Sequence, residues 1–80
     1  TNIAINLAQG SSYTVLENGF YTLYVEATSA GTNGAWYLNG VFLLGNANVE
    51  GIMVPLYLKK GTVLTTRSGA GIYYIYGKHV

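Results

Sequence analysis

From Asn2 the chain reads "NIAINL", which sets Ile3, Ile5 and Leu7 against Asn2, Ala4 and Asn6. That repeat of two is the signature of a strand with one buried face, and it recurs along the chain. No window keeps the 3.6-residue spacing of an amphipathic helix. "SSYTVL" (11–16) makes a second short strand, closed by the turn Glu17-Asn18-Gly19. "FYTLYVEAT" (20–28) places Tyr21, Leu23, Val25 and Ala27 on one face and Phe20, Thr22, Tyr24 and Glu26 on the other. After the loop "SAGTNG" (29–34), "AWYLNGVFLL" holds two apolar runs split by Asn39-Gly40. That dipeptide supplies the positive φ angles of a type I′ hairpin turn.

The rest of the chain follows the same rule. "GNANVEG" (45–51) is a loop, and "IMVPLYL" (52–58) is a strand whose Pro55 cannot donate to a ladder, which predicts an edge or a bulge. Lys59-Lys60-Gly61 turns the chain into "TVLTTR", and Ser68-Gly69-Ala70-Gly71 turns it again into "GIYYIYGKHV". The expectation is all-β: a small antiparallel β-sandwich of jelly-roll type, with about eight short strands. Residues 1–80 read as one domain without a linker or internal repeat. The first residue is Thr1 rather than Met, which reads as a processed chain or a fragment of a longer protein.

Composition narrows the function. Charged residues are 9% of the chain, against roughly 25% in an ordinary soluble domain. Polarity comes instead from Thr, Asn, Ser and backbone, so a good part of the surface is expected to lie against another chain. A net charge of +1 gives little electrostatic pull toward nucleic acid or an anionic membrane. No apolar run approaches the roughly 20 residues of a spanning helix, so no membrane insertion is expected.

The groups that perform catalysis are scarce. There is no Asp and no Cys, the acids are Glu17, Glu26 and Glu50, and His79 is the one His. A Ser-His-Asp arrangement cannot form, and three scattered Glu make a poor pair for glycoside hydrolysis or a poor shell for calcium. The expectation is therefore no enzyme, no cofactor and no metal, with one variant kept open: three copies of His79 converging on a trimer axis. The Gly-rich "GAGIYYIYG" lacks the Lys-Ser/Thr and the helix of a phosphate loop.

The aromatics and amides remain. Eight Tyr, two Phe and one Trp are dense for this length. Sugars need a platform for their C–H face and planar amides for their hydroxyls. Asn33, Trp36, Tyr37, Asn46 and Asn48, with Asn39 nearby, lie in or beside loops that a sandwich can bring to one end, so these five are the expected ligand-binding residues. Each also has a plain role: Trp36 alternates with Leu38 as a core residue would, and asparagines are ordinary in turns. In the closing strand both faces, Ile72/Tyr74/Tyr76 and Tyr73/Ile75, are rich in apolar atoms. It is expected to be an inner strand, with one face in the core and the other toward a neighbouring subunit. Tyr73, Tyr74 and Tyr76 are the expected interface residues.

The order of "SSYTVLENGFYTLYVEAT", "WYLNGVFLL", "VPLYLKKGTVLTT" and "IYYIYG" resembles C-terminal tip domains of bacteriophage tail fibres. The shared pattern is Y-T-x-x-x-N-G-aromatic, a [YF]-x-N-G hairpin, a P-apolar-x-apolar-K-K-G-[TD] corner and a closing aromatic strand, over about residues 11–77. Similar K-K-G corners occur in tumour-necrosis-factor and complement-type trimers. Thr62 stands where Asp is common after the turn glycine. The resemblance implies a homotrimeric head at the tip of a virion's fibre, extracellular, binding a bacterial surface polysaccharide or outer-membrane protein. Two other readings stay open: a trimerisation cap that touches no receptor, and a carbohydrate-binding module of a larger enzyme.

Overall fold

The computed structural model describes residues 2–28 and 33–79. Eight strands form: β1 (Asn2–Leu7), β2 (Ser12–Thr14), β3 (Gly19–Glu26), β4 (Gly34–Leu38), β5 (Val41–Asn46), β6 (Ile52–Leu58), β7 (Val63–Thr66) and β8 (Ile72–His79). They make two four-stranded antiparallel sheets, ordered β1-β8-β3-β6 and β2-β7-β4-β5. That order, with the first and last strands side by side, is a jelly roll. The expected fold class is the observed one.

The alternation in the sequence decides which side chains meet between the sheets. Tyr21, Leu23 and Val25 of β3, Tyr73 and Ile75 of β8, Leu58 of β6, Trp36 of β4, Leu64 of β7 and Val15 form the buried core. Ile3, Ile5, Leu7, Tyr13, Leu38, Leu44, Val54 and Leu56 pack around it. Buried Tyr and Trp have to satisfy their polar tips. Trp36 donates Nε1–H to the carbonyl of Tyr24 at 3.0 Å, and Tyr21 donates its hydroxyl to the carbonyl of Glu17 at 2.6 Å. Glycine makes room for one of these rings. A Cβ on Gly77 would lie 2.5 Å from Cδ1 of Tyr21.

Pro55 sits in β6, which pairs with β3 alone and is thus an edge, as a residue without an N–H requires. Asn39 and Gly40 take φ of 50° and 83°, the two positive values of a type I′ turn. The Asn39 side chain does more than turn. Its Oδ1 accepts the N–H of Val63 at 2.9 Å, while its own N–H goes to the Val63 carbonyl at 2.8 Å. The hairpin is thereby tied to the start of β7. β3 stops at Glu26 because the next N–H, from Ala27, leaves the ladder for the carbonyl of Asn48 at 2.9 Å.

Candidate functional site

Two surfaces stand apart from ordinary sandwich exterior. One is a cleft at the end of the molecule where β4 starts and β5 and β7 finish. Asn33, Gly34, Ala35, Tyr37, Phe42, Gly45, Asn46, Ala47 and Arg67 line about 340 Å³ of space. A second depression of about 340 Å³ adjoins it, bordered by Ala47, Asn48, Val49 and Glu50.

The cleft is built by register. Tyr37 pairs with Phe42 on β5 and with Thr65 on β7, so these three share the outward face of the second sheet. A bulge between Trp36 and Tyr37 leaves Leu43 as the extra residue on β5. The Tyr37 and Phe42 rings meet edge to face, centroids 6.0 Å apart at 77°. Thr66 is buried, and strand alternation turns Arg67 outward beside them, while its N–H bonds the Ala35 carbonyl at 3.0 Å.

Tyr73 braces the cleft from below. Its buried hydroxyl accepts the N–H of Ala35 at 2.9 Å and donates to the carbonyl of Ala70 at 2.8 Å. The β4 wall and the 67–71 turn are thus fixed to one side chain. Gly71, at φ +94°, lets that ring lie close: a Cβ there would come 2.5 Å from Tyr73 Cζ.

Asn46 holds the other wall. Its Nδ2 donates toward the carbonyls of Val25, Asn48 and Glu50 at 3.2, 3.2 and 3.0 Å, and its Oδ1 accepts the Asn48 N–H at 3.0 Å.

The expected ligand residues are therefore divided. Asn33 and Tyr37 come together on the cleft, and Asn48 borders the adjoining depression. Asn46 lines the cleft, but its amide is committed to shaping the 45–51 loop and is not free for a ligand. Trp36 belongs to the core: it is fully buried against Tyr73, edge to face at 5.2 Å, and offers no face to solvent. Asn39 lies at the opposite end, with the start of β7. Phe42 and Arg67 join the site without having been singled out in the sequence. The expected loop 29–34 is described only from residue 33 onward.

The second surface is the outward face of β1-β8-β3-β6. Ladder partners set Ala4, Tyr76, Thr22 and Pro55 in one row, and Asn6, Tyr74, Tyr24 and Met53 in the next. Phe20 and Tyr57 pair beyond them, centroids 5.3 Å apart, and Tyr74 stacks on Tyr76 at 18° and 6.0 Å. Phe20 and Met53 are each about two-thirds exposed, at 65% and 66%. A depression of about 320 Å³ opens between Phe20, Thr22, Pro55 and Tyr76. The carboxylate on this face, Glu26, accepts the Tyr24 hydroxyl at 2.9 Å. That hydrogen bond is the first cause raising the Tyr24 phenol above its usual pKa, with desolvation second.

Of the expected interface residues, Tyr74 and Tyr76 lie on this outward face. Tyr73 does not: strand alternation points it into the core, where it is completely buried. Among the described residues no group of three or more His, Cys, Asp or Glu could hold a metal ion. The trimer-axis expectation for His79 falls on a side chain outside the described residues. Compared with protein-family models, curated proteins and solved structures, the chain has no match in any of the three.

Proposed function

We propose that this domain is a non-enzymatic attachment head, a homotrimer of the tail-fibre-tip kind that binds a bacterial surface glycan or protein. The observation that carries the reading is the division of labour between the two surfaces. The outward face of β1-β8-β3-β6 is rich in aromatic and apolar side chains, and the cleft that holds Arg67 lies on the other sheet, at one end. Sister copies of the chain cover the first, which leaves the second open to a receptor.

Several facts support this. Large exposed apolar side chains are common singly on any surface, but here Phe20, Met53, Tyr57, Ile72 and Tyr76 share one sheet face, joined through Tyr24, Tyr74 and Pro55. Tyr, Phe and Met are the residues enriched in interface cores, where charge is depleted. A standard interface removes about 800 Å² from each partner. The protomer exposes 4518 Å², so one such contact covers under a fifth of it. The trimeric count and the virion location come from the resemblance of the sequence to fibre tips.

The test is binding to cells or their purified polysaccharide by the domain and by a variant in which residues 47–50 are replaced with Gly and Ser, with Asn46 kept because it closes the loop. The reading expects binding by the first and its loss in the second, with an unchanged circular dichroism spectrum. Full binding by the loop variant would overturn the site, and no binding to any bacterial surface by either would favour a fibre cap.

A further inference from the structure

We propose that the cleft between Ala35, Tyr37 and Gly45 takes a sugar unit bearing a carboxylate, with Arg67 holding the charge. This rests on the attachment reading and gives its ligand a chemical class.

Among the described residues Arg67 is the one charged residue lining the cleft. Among the described residues nothing forms an ion pair or hydrogen bond with its guanidinium, although its backbone is fixed to Ala35. An arginine on a fixed backbone, without an internal partner, presents a planar fork that matches a carboxylate with two parallel hydrogen bonds. Lys59 and Lys60 are elsewhere, in the turn before β7, at its opposite end.

The neighbouring surface suits a pyranose rather than a bare anion. Phe42 is 60% exposed beside Tyr37, and the edge-to-face pair makes an apolar corner next to the guanidinium. Gly45 forms the floor. A Cβ there would approach the Gly34 carbonyl oxygen at 3.2 Å and Phe42 Cζ at 3.4 Å, so the floor stays bare. The volume, about 340 Å³, is at the small end of ligand sites, which run roughly 300–1,000 Å³. One sugar unit fits that scale. The adjoining depression carries Glu50 in place of a cation, so its charge is opposite. A glycan crossing both depressions is thereby oriented, with its acidic unit at Arg67.

The test is a titration of ¹⁵N-labelled protein with D-glucuronate, D-galacturonate, D-glucose, D-galactose and glucose 6-phosphate, followed by amide shifts. The expected result is that at least one uronate moves the amides of Ala35, Tyr37, Gly45 and Arg67 at about tenfold lower concentration than its neutral parent, a difference of about 1.4 kcal/mol. R67Q removes that preference and R67K retains part of it. Both should fold, since Arg67 is exposed and its structural hydrogen bond is made by backbone. Equal response to uronate and neutral sugar, or a preference that survives R67Q, overturns the inference while leaving a sugar site in place. Glucose 6-phosphate acting at lower concentration than either uronate overturns the carboxylate assignment in favour of phosphate. No response of these amides to any of the five overturns the inference, whereas the attachment reading is decided by the cell-binding test.

Discussion

Replacing Tyr73 by Phe removes one oxygen from the centre of the molecule and leaves the ring in place. The hydroxyl is the acceptor for the Ala35 N–H at 2.9 Å and the donor to the Ala70 carbonyl at 2.8 Å. Ala35 and Ala70 are 3% and 6% exposed, so water does not easily take over either bond. A buried polar group left without its partner costs about 1–3 kcal/mol, and two such groups that partly relax give an expected loss of about 2–4 kcal/mol. In a chain of this length each kcal/mol lowers Tm by about 4–8 °C, so a fall of at least 8 °C is expected. Urea unfolding at fixed protomer concentration, followed by fluorescence, is the natural assay. Trp36 is the single tryptophan, and its ring touches that of Tyr73. Because both hydrogen bonds position the cleft wall and the turn after Arg67, the variant should also weaken ligand binding under conditions where it remains folded. A loss below about 0.5 kcal/mol with unchanged m would refute the claim that this hydroxyl braces the site.

Four further outcomes follow from the same structure. G77A should destabilise by about 1–3 kcal/mol in thermal melts, because its methyl group meets the Tyr21 ring at 2.5 Å inside a packed core. N46A should cost at least about 2 kcal/mol, since the buried amide closes the 45–51 loop through four backbone partners. The Tyr21 phenol is raised above its usual pKa, first by burial and then by Tyr13 and Glu17. Its share of stability is therefore complete below about pH 10 and lost as pH climbs through the folded-state value, and Y21F should make the alkaline fall in urea midpoint shallower. Ser at Tyr76, or jointly at Phe20 and Tyr57, should lower the association constant of the oligomer at least tenfold while the protomer's circular dichroism is kept, as measured by sedimentation.

The strands and turns were legible because they obey local rules. Asn39-Gly40 carries its turn type in two residues, Pro55 marks its edge, and the repeat of two marks each strand. The site was less legible because it is made by pairing across the chain. Arg67 reaches Tyr37 and Phe42 only through the β4–β7 and β4–β5 ladders, and no local pattern announces partners so far apart in sequence. Trp36 and Tyr37 are adjacent aromatics, and composition cannot say which one faces inward. Register decides it, sending Trp36 to the core and Tyr37 to the cleft. Tyr73 and Tyr74 pose the same problem in a strand apolar on both faces. Asn46 showed as a loop amide, but its burial and its four partners depend on Val25 and on the path of the 45–51 loop.

The account stands most directly on the apolar face of β1-β8-β3-β6 being covered by copies of the same chain. Sedimentation equilibrium of the unmodified domain at micromolar concentration measures this. The expected mass is three times the 8.6 kDa of the protomer, falling toward one protomer in the Tyr76→Ser variant. A sharp 8.6 kDa species for the unmodified chain, unchanged across that concentration range, would contradict it.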